Sequence, residues 1–210
     1  MKEVLFTGRV LRLEREDVTL PNGKTTTMEI VRHRGSVVLI PMPGPDRVIL
    51  IRQYRHVIGE WIWELPAGTL EVGEDPEVGA KRECEEEIGL TPGRVRRIGA
   101  WFPTPGFCDE LMTFYICEEL GPPSGNAHAD EDEQIEPREF TFDEARALLA
   151  SGQVRDMKTV FGLAVLGVSA VGPPGSRRHR DDGRDHALRP RPACRRHQGK
   201  SARRAPLRDS

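Results

Sequence analysis

A cluster of carboxylates on one predicted helix is the feature of this sequence that could carry chemistry. Glu83, Glu86 and Glu87 follow at i, i+3 and i+4, so a helix would place them on one face. Hard divalent cations such as Mg²⁺ take oxygen ligands and would relieve the repulsion among these charges. Arg82 lies beside the cluster, where it could hold a carboxylate or the Glu74 side chain. The spacing favours a metal site over the alternative, a solvated acidic face.

The helix that would carry this cluster has clear start and stop signals. Asp75 is a good N-cap and Pro76 fits the first helical position. Gly89 stands where a glycine usually ends a helix. The apolar stripe that would face the core consists of Ala80, Cys84 and Ile88.

The stretch around this helix, residues 68–90, resembles the Nudix box, G-x5-E-x7-R-E-U-x-E-E-x-G-U, in which U is aliphatic. Cys84 stands at one aliphatic position, where a buried free cysteine behaves as a small hydrophobe. The resemblance implies a pyrophosphatase that uses Mg²⁺ or Mn²⁺ to split a nucleoside diphosphate linked to another moiety. Every fixed position is present, namely Gly68, Glu74, Arg82, Glu83, Glu86, Glu87, Gly89 and Leu90.

The resemblance also implies a set of metal ligands. In the family, a backbone carbonyl equivalent to that of Ala67 completes the metal shell with glutamates equivalent to Glu83 and Glu87. Glu86 is then a further ligand, or a contact to metal-bound water when several ions bind. The segment 65–68 is expected to bring backbone close to the acidic helix.

The loop Thr104–Glu110, T-P-G-F-C-D-E, resembles the S/T-P-G-F-x-D-E loop of ADP-ribose pyrophosphatases. In that subfamily a proline lies fifteen residues past the box, and Pro105 is fifteen residues past Leu90. The alternative is an ordinary connecting loop, because Pro-Gly marks turns in any case. The substrate-binding residues that this likeness implies are Pro105, Gly106, Phe107 and Glu110.

Hydrolysis needs a water molecule that a metal acidifies and a carboxylate orients or deprotonates. The resemblance places this base on an acidic loop that matches residues 129–133, and we choose Glu133, with Glu131 second. Glu86 is the next candidate, and Arg82 is counted with the catalytic residues. A solvated acidic turn is the alternative for the loop.

Several side chains just before the box have two interpretations. Arginine suits bidentate phosphate contact, and the resemblance places Arg55 against the substrate's diphosphate, whereas Arg52 is expected to be a surface residue. Trp61 and Trp63 could stack on adenine, but strand spacing favours core positions for both. His56 is expected to be structural.

The activity implied by the resemblance is Mg²⁺-dependent hydrolysis of ADP-ribose to AMP and ribose 5-phosphate. A first alternative is another nucleoside diphosphate sugar such as GDP-mannose. A second is a catalytically inactive nucleotide-sensing regulator, against which the intact box argues, and a third is RNA decapping, which only the basic tail favours. Such enzymes form homodimers in which the N-terminal β-unit contributes to the neighbour's adenosine pocket, with Arg32 and Arg34 as expected contacts.

The order of predicted elements is that of an α+β fold. It agrees with the Nudix fold, a mixed sheet sandwiched between helices, with an added N-terminal antiparallel β-unit. An Asn22-Gly23 hairpin is expected within that unit, and Phe142–Ala150 and Asp156–Ala170 are predicted helices. The expected domains are residues 1–35, a probable dimerisation unit, residues 36–171, the hydrolase domain, and residues 172–210, a basic disordered tail.

Charge and composition bound the remaining possibilities. Residues 171–210 carry 12 Lys or Arg and 4 Asp, so the body before them is acidic although the whole chain has a net charge of −2. The tail lacks apolar periodicity, which predicts disorder rather than a nucleic-acid site. No apolar stretch is long enough for a membrane span, and no secretory signal is expected. Four scattered cysteines suggest neither zinc nor disulfides, so a reducing cytoplasm is the default.

Overall fold

The computed structural model describes residues 1–125 and 134–170, which form ten strands and three helices. The strands are β1 (Lys2–Thr7), β2 (Leu11–Thr19), β3 (Thr25–His33), β4 (Ser36–Pro41), β5 (Arg47–Arg55), β6 (Glu60–Glu64), β7 (Ala67–Thr69), β8 (Thr91–Trp101), β9 (Met112–Gly121) and β10 (Ile135–Thr141). The helices are α1 (Pro76–Ile88), α2 (Phe142–Ala150) and α3 (Met157–Val165).

The N-terminal β-unit is a three-stranded antiparallel sheet in the order β1-β2-β3. The predicted hairpin joins β2 to β3, where Thr19 pairs with Thr25. At its turn Asn22 accepts a hydrogen bond from the Lys24 amide, and Gly23 has a φ of 79°. That left-handed conformation is one that glycine adopts without strain, which explains the Asn-Gly signal.

Two further sheets form the body, in the orders β10-β5-β6 and β7-β4-β9-β8. All six residues of β4 are buried, and successive side chains of a strand point to opposite faces. Val38 and Ile40 accordingly pack in one apolar cluster with residues of α2 and α3, while Val37 and Leu39 pack in a second cluster with α1. The central strands therefore lie between helices, and the α+β prediction is confirmed.

The predicted limits of α1 are confirmed. Asp75 caps its start by accepting hydrogen bonds from the Glu77 and Val78 amides, and Pro76 is its first residue. Gly89 ends it in the left-handed conformation, at φ 70°. The apolar stripe of Ala80, Cys84 and Ile88 is buried against the sheet, so the other face is free to carry the carboxylates.

Two predictions about other elements need correction. The expected core position of Trp61 is wrong, because that side chain is 38% exposed, whereas Trp63 does pack on the core beside Phe140. The buried face of β6 instead carries Ile62 and Glu64. Helix α3 is shorter than predicted and ends at Val165, since the chain turns at Gly167 with a φ of 74°.

Two local features complete the description of the elements. Thr141 caps α2, in a capping box with Glu144. Strand β7 is a three-residue strand that the sequence did not indicate. No helix in the described ranges has the length and apolar character required to span a membrane. The predicted tail, residues 172–210, lies outside the described residues.

Candidate active site

Arg82 organises the acidic face of α1. Its Nε and Nη2 donate to the two carboxylate oxygens of Glu74, at 2.9 and 3.0 Å. Its Nη1 donates to Glu83 at 2.8 Å and to Glu86 at 2.6 Å. The hydrogen bonds to Glu74 and the charges of Glu83 and Glu86 hold the pKa of Arg82 well above its ordinary value. The expected contact between Arg82 and Glu74 is therefore present, and one guanidinium serves three carboxylates.

The three carboxylates of the predicted metal cluster line one cavity of about 320 Å³, which we call the acid cleft. Glu83 is 8% exposed and Glu87 is 7% exposed, so their charges lie largely out of bulk water. Buried carboxylates require paired charge, and the alternative of a solvated acidic face is therefore wrong for Glu83 and Glu87. The cleft is lined by Arg9, Val10, Arg34, Gly68, Thr69, Glu71, Arg82, Glu83, Glu86 and Glu87.

Strand β7 forms one wall of this cleft and lies in contact with α1. The Ala67 amide donates to Glu87 Oε2 at 2.8 Å, so the expected approach of the 65–68 backbone to the acidic helix is confirmed. A Cβ atom at Gly68 would lie 1.8 Å from the Glu83 carboxyl carbon. Only glycine leaves room for that carboxylate, which explains why the first residue of the box is a glycine.

The donor set fits a hard divalent cation. Glu71 and the three carboxylates of α1 line the acid cleft, and oxygen ligands of this kind are those that Mg²⁺ and Mn²⁺ prefer. In the described residues, no three His, Cys, Asp or Glu side chains converge closely enough to cage an ion as they stand. Arg82 Nη1 bonds both Glu83 and Glu86, so an entering cation would compete with it for those oxygens.

A second cavity, of about 520 Å³, shares Gly68 and Thr69 with the acid cleft, and we call it the Arg55 pocket. Arg55 enters it from the end of β5, with Nε and Nη2 each 2.6 Å from an oxygen of Glu64. This bidentate pair raises the pKa of Arg55. The other charged residues on the pocket wall are Glu64, Glu110, Arg155, Asp156 and Lys158.

Glu64 is held by two cations although it is only 1% exposed. Burial alone would raise its pKa, but the hydrogen bonds from Arg55 and the charge of Lys158 outweigh it, so that the pKa is lowered. Lys158 Nζ also bonds Asp156, at 2.9 Å. The sequence reasoning missed Lys158, and the available signal was that it is the sole charged residue in the apolar helix α3.

Of the substrate-binding residues predicted on the loop Thr104–Glu110, one lines the Arg55 pocket. Glu110 lines the wall and accepts a hydrogen bond from the Ser36 hydroxyl at 2.8 Å. Phe107 is exposed, and the loop turns where the Thr104 carbonyl accepts the amides of Phe107 and Cys108. Pro105, Gly106 and Phe107 are not among the residues that line the acid cleft or the Arg55 pocket.

The N-terminal sheet anchors this loop. Arg32 on β3 donates to Asp109 at 3.1 Å and also to Glu14 and Glu16, while the His33 amide donates to the other Asp109 oxygen at 2.8 Å. Arg32 was expected to contact a neighbouring subunit; within its own chain its guanidinium already bonds three carboxylates, and the contact between subunits stays a prediction. Arg34 lines the acid cleft of its own chain.

The remaining predictions are placed as follows. Arg52 pairs with Glu136 and lies over the Trp61 ring, as expected of a surface residue. It lines a further cavity of about 720 Å³ between β5, β10 and α2, where no residue of the box lies. The residues of the box and Arg55 line the two cavities that share Gly68 and Thr69. The predicted bases Glu133 and Glu131 lie outside the described residues.

Comparison with known proteins agrees with this geometry. The family model described as NUDIX domain matches residues 32–160. The chain belongs to this family. An ADP-ribose pyrophosphatase of Bacillus subtilis is 41% identical over 165 residues, which cover 79% of this chain and 89% of that protein. A methanol dehydrogenase activator of Bacillus methanolicus is 40% identical over 164 residues, covering 78% and 89% respectively.

A solved structure supports the fold assignment of this NUDIX chain. The crystal structure titled as an ADP compounds hydrolase superposes with a TM-score of 0.69 and covers 80% of this chain and 90% of that one, at 22% sequence identity. At that identity the likeness concerns the fold. The Nudix fold expected from the box is confirmed, and the chain is a Nudix hydrolase.

Proposed function

We propose that this chain hydrolyses the diphosphate of ADP-ribose to AMP and ribose 5-phosphate. The observation that carries the proposal is the meeting of two cavities at Gly68 and Thr69. One cavity offers carboxylates for divalent cations, and the other offers cationic side chains. A diphosphate that spans β7 would face both, and the 41% identity to a protein named ADP-ribose pyrophosphatase supports that substrate.

The metal sites in this proposal use Mg²⁺, with Mn²⁺ as a possible substitute. Glu83, Glu86, Glu87 and the Ala67 carbonyl would hold the ions, which supply charge neutralisation at the diphosphate and an acidified water. Arg82 keeps Glu74 through its other two nitrogens and so remains able to orient the carboxylates of α1. The burial of Glu83 and Glu87 strengthens their attraction for a cation, because the local dielectric is low.

Substrate contacts are assigned to both cavities. Arg55 would bind the diphosphate, because its guanidinium is fixed in the pocket that adjoins the cleft. Glu110 would contact the sugar side, and Arg34 would face the substrate from the cleft wall. Pro105, Gly106 and Phe107 would complete the substrate site as the loop that carries Glu110.

Glu133 is proposed as the residue that deprotonates the attacking water. Glu133→Gln should lower kcat by about 10²–10⁴-fold with little change in KM, as expected of general-base help. Glu131→Gln is the matched control in the same acidic segment and should retain most of the turnover. A larger loss in Glu131→Gln would transfer the role to that residue, and no loss in either would leave Glu86 as the candidate.

A homodimer is also proposed, with residues 1–35 at the subunit contact and residues 36–171 as the hydrolase domain. Five apolar side chains of the N-terminal sheet and its first turn are exposed, which supports a partner surface; they are Val4, Leu5, Phe6, Val10 and Leu11. Sedimentation equilibrium tests this. A chain that ends at Val171 should keep its kcat/KM, since every residue placed in the acid cleft or the Arg55 pocket precedes residue 171.

The experiment that tests the function is a substrate panel. ADP-ribose, GDP-mannose, NADH, diadenosine polyphosphates and capped RNA are incubated with enzyme and Mg²⁺, and the products are separated by chromatography. AMP and ribose 5-phosphate from ADP-ribose, at the highest kcat/KM of the panel, is the expected result. A preference for GDP-mannose would leave the proposed catalytic site standing and would refute ADP-ribose as the substrate. No turnover of any compound would favour the inactive regulator.

A further inference from the structure

The first turn of α3 meets the active site from a part of the chain far from the box. Lys158 on this turn is 9% exposed, and its Nζ hydrogen-bonds Glu64 Oε2 and Asp156. Glu64 lies 94 residues earlier, at the end of β6. A buried lysine is costly unless its charge is paired, so this arrangement requires a reason.

The same turn also holds the backbone that leads into β7. The Leu65 amide donates to the Thr159 hydroxyl at 2.7 Å, and that hydroxyl donates to Asp156, also at 2.7 Å. Asp156 is the N-cap of α3 and accepts from the Thr159 amide. A Cβ at Gly162 would lie 2.3 Å from Leu65, so the helix packs directly on this segment. Residues 64–65 are thus fixed by α3.

Arg55 is the side chain that this arrangement aims. Its Nε and Nη2 are bound by the two oxygens of Glu64, while its Nη1 donates to no acceptor in residues 1–125 and 134–170. A carboxylate fork on one edge of a guanidinium fixes its plane, and the remaining edge is available to a ligand of the pocket. Glu64 can hold Arg55 in this way only while Glu64 itself stays in place.

We infer that Lys158 is a positioning residue of the diphosphate pocket, which acts through Glu64 to fix Arg55 toward the substrate. Lys158 shares the negative charge of Glu64, so the guanidinium of Arg55 is less fully neutralised and attracts a phosphate more strongly. With Lys158 removed, Arg55 is the one cation on a buried carboxylate. Its charge is then more fully neutralised by Glu64, and it attracts a phosphate less strongly. This inference rests on the proposed function.

A double-mutant cycle on Lys158 and Glu64 tests the inference. Lys158→Met keeps most of the side-chain volume and removes the charge, and we expect KM for ADP-ribose to rise on the order of tenfold with a smaller change in kcat. Glu64→Gln should raise KM similarly. In the Glu64→Gln background, Lys158→Met should change KM by less than about twofold, because its route to Arg55 is already broken. Lys81→Met, at an exposed lysine paired with Glu77, is the matched control and should leave KM unchanged.

The outcomes separate the possible roles. A KM effect of Lys158→Met that persists in full in the Glu64→Gln background would show direct substrate contact and overturn the inference. An unchanged KM in Lys158→Met would overturn it as well. If Lys158→Met does not fold, the comparison of Glu64→Gln with the double variant still decides, since that pair removes both buried charges and its melting temperature can be followed. A wild-type chain that prefers another substrate in the panel refutes the proposed specificity alone, and the cycle is then run with that substrate.

Discussion

Two arginines, Arg82 and Arg55, each hold carboxylates beside one of two adjoining cavities, yet the chain builds their surroundings differently. The partners of Arg82 are Glu74, Glu83 and Glu86, all within eight residues of it. Arg55 is bound to Glu64 on the next strand, and Glu64 depends in turn on Lys158, 94 residues further along the chain. The first network follows from the geometry of one helix and its preceding loop. The second exists only after three elements have packed together.

The two networks also differ in what they leave for a ligand. Arg82 uses all three of its nitrogens on carboxylates, so the acid cleft presents negative charge that is only partly compensated. In the Arg55 pocket two cations share Glu64, and one edge of Arg55 remains toward the cavity. A diphosphate with its metal ions needs both kinds of surface. The acid cleft would bind the metal ions, and the Arg55 pocket would bind the phosphate oxygens.

The largest expected effect lies in the acid cleft. Glu83→Gln or Glu87→Gln keeps the shape of the side chain but removes a charged metal ligand, and we expect kcat to fall by roughly 10²-fold or more. Far-ultraviolet circular dichroism should show that the fold is retained. Glu77→Gln, on the same helix but exposed and paired with Lys81, is the control. Near-normal turnover of either variant at saturating Mg²⁺ would refute the assignment of these ligands.

The local network around Arg82 could largely be predicted from the sequence, whereas the long-range network around Arg55 could not. The limits of α1, the spacing of its apolar stripe and the contact of Arg82 with Glu74 depend on residues that are close in sequence, and the approach of Ala67 to the helix followed from the box resemblance. Trp61 was misplaced because alternation does not reveal that the first two residues of β6 are exposed, whereas the later residue Trp63 packs on the core. The adjacent face of β6 is buried as well. That face carries Glu64, whose burial depends on Arg55 and Lys158, and neither pairing leaves a trace in local sequence.

Arg32, on β3 of the N-terminal sheet, is a second residue whose tertiary partners could not be predicted from local sequence. The family resemblance predicts that Arg32 contacts a neighbouring subunit, and it gives no sign of the ion pair with Asp109, 77 residues away on the loop that carries Glu110. The loop motif was recognised and so was the N-terminal sheet. The ion pairs that join them follow from tertiary packing. Sequence spacing thus predicted the elements and the meeting of Glu83, Glu86 and Glu87 in one cleft, but not the supports that fix the second cavity.

A matched replacement of each arginine by lysine would sharpen the comparison. Arg82→Lys keeps the charge but cannot bond three carboxylates at once, so we expect a lower kcat and a loss of about 2 kcal/mol in the free energy of unfolding. Arg55→Lys should mainly raise KM, on the order of tenfold, because the bidentate fork to Glu64 is lost. Steady-state kinetics and urea unfolding distinguish the two. If both variants changed KM alone, the division into a metal-recruiting and a phosphate-binding surface would be wrong.

The smallest expected effect concerns stability in acid and compares the two networks through their carboxylates. The pKa of Glu64 is lowered from its ordinary value of 4.5, because Arg55 and Lys158 outweigh the cost of burial. Asp156 is lowered as well, with burial opposed by Lys158, and Glu74 is lowered by its hydrogen bonds from Arg82. A carboxyl group whose pKa is lower in the folded state stabilises the fold above its unfolded pKa. That contribution is lost as the pH falls through the folded pKa.

We therefore expect the melting temperature to be steady near neutral pH and to fall as the pH drops below about 4.5. Glu64→Gln and Glu74→Gln should each make this fall shallower, since each removes one group that binds a proton on unfolding. Glu64→Gln should flatten it more, because Glu64 is almost fully buried and its charge is screened less by solvent. Differential scanning fluorimetry from pH 3 to pH 7 measures the slopes. Equal slopes in the two variants would mean that the packed, long-range network and the local one contribute alike, and the distinction between them would then concern ligand binding and not stability.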